Sequence, residues 1–404
     1  MLNGVKIVSF CHFLQGPACD QYLADMGADV IKVEPLQGAY ERKWSGADVY
    51  VGGISGFYLS ANRNKRSVAI DLKHEHGKEV AERLIASADV VVENFRPGVF
   101  AKLGFDQQKL NQLNPKLIFA SASGYGSSGP LVEKPGQDLL AQARFGLMSA
   151  TGGQGIGPVP IGSTIVDQHG GALLALGIVG ALVRLAREDK GTRVEGSLLN
   201  SAIDLQSEPL VNWFAGGITR DRLNRESNLA TWFHAAPYGV YPARDGHIVI
   251  SLCQLMDLAT ALESEELVLL AGEDRYEKRD EIARSVRSGT ARFSIKQLES
   301  RLDRHNVWWA PVQHYDQLLA DPQLNHMQVF RRINVRGRAM YLVNHPNRYD
   351  GNVPDLTILA LEIGEHTREV LRELSYTSVE IDGLIACSAV VASEGSEQAW
   401  SVND

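Results

Sequence analysis

Short apolar runs alternate with helical segments from the start of the chain to Ser121, and this alternation constrains the fold most. Val5 to Phe10 reads as a buried strand. Gly16-Pro17 then opens a helix, proline suiting a first turn, and Gly27 ends it, as glycine does when a helix stops left-handed. Asp29 to Glu34, Ser67 to Asp71, Asp89 to Glu93 and Leu117 to Ser121 read as further strands. Helices fall between them at His76 to Ala86 and around Gln107 to Leu113. Strands separated by helices demand crossover connections, and so predict a parallel sheet covered by helices on both faces.

The pattern invites a Rossmann-like reading, but no G-x-G-x-x-G follows the first strand; the turn there reads Cys11-His12-Phe13-Leu14-Gln15-Gly16-Pro17. Gly153-Gln154-Gly155-Ile156-Gly157 follows a helix rather than a strand, and reads as a mobile loop. At 404 residues the chain exceeds what one core usually serves, so two domains are expected. A large first segment is expected over 1–215, a polar linker over 216–230, and a small α+β domain over 231–325. In the last of these, Asp245-Gly246 between apolar runs signals a hairpin. A return linker and a closing segment of the large domain follow over 326–390, then a disordered polar tail over 391–404.

A net charge of −8 argues against bulk binding to nucleic acid or an anionic membrane. The four cysteines (Cys11, Cys19, Cys253, Cys387) match no metal spacing and no disulfide framework, which points to a reducing cytoplasm. No signal peptide is read at the start, and the uncharged run Gly170 to Val183 is shorter than the roughly 20 residues of a membrane span.

Several residues carry chemistry. Asp167 heads an apolar helix rich in small residues. It reads first as an N-cap and, compatibly, as a carboxylate kept ionised by the helix dipole and available as a nucleophile. Asp138 heads another helix and reads as its cap. Arg63-Asn64-Lys65-Arg66, with Lys73 beyond the third strand, and Asn94-Phe95-Arg96-Pro97-Gly98 with Lys102, directly after the fourth, are two basic groups; strand carboxyl ends are where ligands of open parallel sheets bind. Each group suits an anion, or is a solvated loop. His74-Glu75-His76 lacks a third metal ligand and reads as surface. No hydrolase triad can be assembled.

The motifs together resemble a family. Gly16-Pro17, Leu23 to Pro35, Asn64-Lys65-Arg66-Ser67, Asp71-Leu72-Lys73, Val92 to Gly98, Asn114 to Ile118, Ser123-Gly124-Tyr125-Gly126 and Gly364-Glu365-His366-Thr367 occur in the order seen in class III CoA-transferases, the CaiB/BaiF family. The resemblance implies a Rossmann-like large domain, a small domain, and two chains interlocked as rings in a homodimer. It places the acyl-accepting aspartate on Asp167 and CoA contacts on Leu72, Lys73, Asn94, Phe95, Arg96 and Lys102, with Arg42, Gln137 and Asp138 as further candidates. CoA and acyl-CoA enter as substrates, with no tightly bound cofactor and no metal. The implied reaction moves CoA from an acyl-CoA to a free carboxylic acid. The alternatives are a 2-methylacyl-CoA racemase and a catalytically silent CoA-binding subunit. Two departures bear on this. The formyl-CoA:oxalate branch has a glutamine where this chain has Leu14, and a glycine-rich loop where it has Trp232-Phe233-His234-Ala235-Ala236-Pro237, which argues against oxalate. The racemase branch has a histidine where this chain has Gln137, which cannot shuttle a proton. His234, Trp232 and Trp44 are expected near the acyl pocket.

Overall fold

The structure, a computed structural model, describes residues 1–393 and 399–402. The chain forms two compact units. The first comprises 1–141, 164–201 and 321–404, and the second 142–163 and 202–320.

The alternating runs of the sequence become the sheet of the first unit. Its strands are β1 (Lys6–Phe10), β2 (Asp29–Glu34), β3 (Lys65–Ile70), β4 (Val90–Glu93), β5 (Ile118–Ser123), β6 (Arg193–Ser197) and β7 (Val390–Val391). They lie in the order β7-β3-β2-β1-β4-β5-β6, all pairs parallel except β7 with β3. β1 is central because its residues Ile7, Val8 and Phe10 are apolar on both faces and fully covered, as a strand between two helical layers must be. Chain order runs outward from β1 in both directions, so the sheet has a switch point between β1 and β4. Ligands of such sheets bind outside the strand carboxyl ends at that point.

The first helix, Gln15–Asp25, is buried along nearly its whole length. It lies against the long central helix, Ile165–Glu188, through Gly170 and Gly171. A Cβ on Gly171 would come within 2.8 Å of the Gln15 carbonyl oxygen, so only glycine admits this approach. The central helix is long and apolar enough to cross a membrane by length and composition, with a mean hydropathy of 1.7. One face of it, including Leu174, Ala175 and Ile178, is buried, while Leu176 and Val183 on other faces are exposed.

The closing segment holds more regular structure than the sequence suggested. Phe330–Val335 and Arg338–Val343 form an antiparallel hairpin, joined by Arg336-Gly337 with both φ angles positive, the two-residue turn that matches strand twist. Trp400–Val402 adds to its edge, Ile333 facing Val402. The tail expected to be disordered is therefore strand at 400–402, because Trp400 packs on the cluster around Ile333, Val335 and Leu342. Val391, the first residue of that expected tail, is paired as a strand in β7, and 394–398 and 403–404 lie outside the described residues.

The second unit contains the hairpin Gly239–Ala243 with Gly246–Ile250, plus the strand Trp309–Pro311. Helices Leu255–Leu262, Glu265–Leu270, Arg279–Thr290 and Ile295–Arg304 close its core over Tyr241, Ile248 and Ile250. The turn falls on Arg244-Asp245, and Asp245 accepts from the Ile295 amide at 2.8 Å. Residues 216–230, expected as a linker, are exposed over much of 216–224 and packed around Arg225 and Leu229. The Arg225 side chain is buried and donates to the carbonyls of Ala150 and Leu229 at 3.1 and 3.2 Å, while its own carbonyl accepts from Gln154 N at 2.6 Å. The glycine loop is thereby tied down within this unit. After β6 the chain forms two helices, Leu198–Asp204 and Ser207–Gly216, rather than one, since Pro209 has no N–H to continue the ladder.

Candidate functional site

The turn after β1 lies at the switch point, and side chains from four places hold it. Asn94, following β4, accepts from His12 N at 2.8 Å and donates to His12 O at 2.6 Å. Lys32 of β2 donates to Cys11 O at 2.8 Å, and Lys65 of β3 to Pro17 O at 2.7 Å. Glu41 receives Phe13 N at 3.4 Å and pairs with Lys32 at 2.8 Å, both side chains fully enclosed. Phe13 is left-handed at φ 61. Burial works against the Lys32 charge, but Glu41 and Glu34 outweigh it, so its pKa is raised. Burial pulls Lys65 down to about 8. His12, desolvated and beside Lys32, falls to about 4 and is neutral at pH 7.

The N-terminus of the central helix carries Asp167, and here the cap expected of Asp167 is made by another residue. Thr164 occupies the N-cap position without a side-chain bond. Asp138, the first residue of the helix Asp138–Arg144, reaches across so that one oxygen accepts from Val166 N at 2.7 Å and Asp167 N at 3.0 Å. Asp138 thus caps the neighbouring helix, and Asp167 stands in the first turn with its carboxylate uncommitted among the described residues. Ser201 Oγ fixes the same turn by donating to Val166 O at 2.7 Å. The carboxyl was expected to be held ionised by the dipole. Instead burial, then the like charge of Asp138, raise its pKa from 3.8 to about 7.

The CoA candidates divide. Phe95 is half-buried, stacked on Phe100 at 6.1 Å and edge-on to His12 at 5.6 Å. Arg96 and Lys102 are exposed after β4, Lys102 closing the short helix Val99–Lys102 that starts at Gly98 with φ 82. Lys73 is exposed after β3, with Leu72 packed on the core. Gln137 is exposed beside the buried Asp138. Asn94 spends its amide on the turn described above.

Arg42 is corrected to a structural role. Its guanidinium pairs with Glu34 at 2.6 Å and donates to Tyr58 Oη at 2.5 Å and Leu361 O at 2.9 Å, so its donors are turned inward. The Arg63 to Arg66 segment is likewise internal. Arg63 pairs with Asp25 at 2.6 Å, Asn64 donates to Asp25 at 2.8 Å, and Arg66 pairs with Asp29 at 2.7 Å and Glu373 at 2.6 Å. His74 caps the helix Glu75–Ala86 by accepting from His76 N. Trp232 is buried, His234 shares a 2.8 Å hydrogen bond with Thr231, and Trp44 stands edge-on to Phe57 at 5.0 Å.

Sequence reasoning missed Glu93, whose carboxyl burial lifts to about 7 although Phe95 N donates to it at 2.8 Å. It lines a cavity of about 230 Å³ with Phe95, Phe119, Ser121 and Arg193. A charged residue closing a strand of three valines was the available signal.

Residues 2–367 match the family described as CoA-transferase family III. An acyl-CoA transferase of Fusarium pseudograminearum is 30% identical, over 95% of this chain and 88% of its own length. The succinate–glutarate CoA-transferase of Agrobacterium fabrum is 29% identical, over 92% and 95%. Among solved structures, a CaiB/BaiF family protein from Brucella suis superposes with a TM-score of 0.79 at 29% identity, covering 92% of this chain and 99% of that one.

Proposed function

The chain belongs to CoA-transferase family III and is a CoA-transferase, and from that premise we propose that Asp167 carries the acyl group and then CoA during transfer. One oxygen of the Asp167 carboxylate attacks the thioester carbon of the donor, the C–S bond breaks, and CoA leaves as thiolate. The thiolate attacks the aspartyl carbonyl of the mixed anhydride, releasing the donor acid as carboxylate and leaving an aspartyl-CoA thioester. The acceptor carboxylate attacks that carbonyl, and the freed thiolate takes the acceptor acyl group from the second anhydride. Every step exchanges one activated acyl for another, so no outside energy source is needed.

The observation that carries this reading is the uncommitted Asp167 carboxylate on a helix end whose amides Asp138 already satisfies. Its pKa near 7 suits a group that must be charged to attack yet is not locked in an ion pair. Arg96 and Lys102, exposed after β4, are assigned to the CoA phosphates, with Phe95 for contact with the base and Lys73 and Leu72 beside them. Gln137 is exposed and non-ionising, which disfavours racemisation, and Asp167 disfavours a silent subunit. The free cysteines support a reducing compartment, the cytoplasm. Because relatives are named for succinate and glutarate, the first donor–acceptor pair to test is succinyl-CoA with glutarate, then a panel including oxalate. Transfer is followed by mass spectrometry. Wild-type protein that exchanges CoA with no acid in the panel, and forms no covalent adduct with any donor, would sink the proposal.

The working unit is proposed to be an interlocked homodimer. The exposed Leu176 and Val183 of the central helix in one unit, and Val211 and Phe214 of Ser207–Gly216 in the other, are the surfaces assigned to the second copy.

A further inference from the structure

Two buried polar atoms on the turn after β1 have no partner among the described residues: Nδ1 of His12 and Nε2 of Gln15. A buried donor left without an acceptor is destabilising, and here it cannot be ascribed to a loose loop. The backbone on either side is held by Asn94, Lys32, Glu41 and Lys65. Gln15 itself is 5% exposed. Its amide nitrogen lies 2.6 Å from where a Cβ on Gly170 would sit. Position 170 is three residues beyond Asp167, on the same face of the helix, so the glycine there leaves room for the amide beside the nucleophile's turn. The Asp167 carboxylate for its part receives no hydrogen bond among the described residues. A donor lacking an acceptor thus lies against Gly170, one helical turn on from an acceptor lacking a donor.

We propose that Gln15 is a positioning residue whose amide N–H donates to the Asp167 oxygen that does not bond to the acyl group. The inference rests on Asp167 as nucleophile. When one carboxylate oxygen forms the bond to the thioester carbon and CoA departs as thiolate, the other oxygen becomes the carbonyl oxygen of the anhydride. When the thiolate then attacks the aspartyl carbon and the donor acid leaves, negative charge gathers on that same oxygen. A preorganised donor counts most at this point. The Gln15 amide thus selects the attacking oxygen and steadies the charge in the CoA-return step.

Gln15→Met tests this, since it keeps length and bulk while removing the N–H. With succinyl-CoA as probe, covalent adducts are followed by rapid quench and intact-protein mass, alongside steady-state rates, melting temperature and pH profile. Expected are a fall in kcat of about 10²-fold, an unchanged KM for the CoA substrate, and an unchanged or higher melting temperature. The acidic limb of kcat/KM moves up in pH, because the charged carboxylate loses a donor. Asp138, the other charged group acting on Asp167, is left in place. A Met variant with wild-type kcat and an unmoved limb overturns the proposal. Should it fail to fold, Gln15→Glu replaces it. The added carboxylate must raise the acidic limb, and an unmoved limb overturns the proposal. Wild-type protein forming no adduct would instead remove the nucleophile reading beneath it.

Discussion

Asp167 and Asp138 meet at one helix end, and the division of labour between them sets the pH behaviour. Asp138 accepts the helix amides, while Asp167 stays uncommitted and titrates near 7. In the proposed mechanism Asp167 must be ionised to attack, so kcat/KM should rise through about pH 7 to a plateau. Stability moves the other way. The folded pKa lies above the unfolded value of about 3.9, so the folded state holds the extra proton between these values and loses stability as pH rises through the window. Asp167→Ala should therefore abolish transfer, leave CoA affinity within a few-fold, and raise stability above pH 7 by about 1–3 kcal/mol. That gain should vanish near pH 4, read by thermal melts at both pH values. Asp138→Ala should cost about 0.5–2 kcal/mol as a lost cap and shift the acidic limb of the rate profile downward by removing a like charge. An unmoved limb would separate Asp138 from the Asp167 titration. Asp167 was legible because a carboxylate before an apolar glycine-rich run is conspicuous. Its cap was not, since the partner lies 29 residues away in sequence. Gln15 and His12 stand in the sequence as ordinary turn residues, because burial without a partner is a property of the fold alone.

Among the elements, the two basic stretches after β2 and β4 looked alike as sequence and differ in structure. Lys65 and Arg66 fall within β3, buried along its whole length, so their charges are answered internally. Arg96 and Lys102 follow β4 and face outward. Replacing Arg66 with Met should lower stability by about 1 kcal/mol, since its acidic partners Asp29, Glu369 and Glu373 are part-exposed, without changing the dissociation constant for CoA. Replacing Arg96 or Lys102 with Ala should do the reverse, weakening CoA by roughly 1–3 kcal/mol with little effect on melting, and by less in high salt. Titration calorimetry and thermal melts on the same preparations decide between the patterns. The parallel strands were readable because each is a short apolar run between turn signals. Phe330–Val335 and its partner were not. Their strands carry Arg331, Arg332 and Arg338, and the Arg336-Gly337 turn lacks the Asn or Asp that marks such hairpins.

The path of the whole chain bears on assembly. It leaves the sheet after β6 (Arg193–Ser197), builds residues 202–320 into the second unit, and returns to the opposite edge of the same sheet. There Val390 and Val391 pair with Ile70 and Ala69, Arg66 reaches Glu369 and Glu373 at 3.0 and 2.6 Å, and Asn64 accepts from Thr357 N at 2.8 Å. A chain that leaves and re-enters one sheet in this way is compatible with the interlocked homodimer proposed above. If two are linked, separating them means opening this closure, so dimer persistence is a matter of unfolding rate rather than of interface affinity alone. Tagged and untagged dimers mixed after folding should not exchange subunits under native conditions, while co-expression should give the mixed species. A monomer by light scattering, or exchange of the wild type within minutes, would rule the linked arrangement out. Weakening the clasp gives the sharper test. Arg66→Met combined with Asn64→Ala touches neither exposed apolar face, so an ordinary face-to-face dimer would exchange no faster for it. In linked rings the same pair of changes should speed exchange by an order of magnitude or more, because about 1.4 kcal/mol taken from the opening barrier is tenfold in rate.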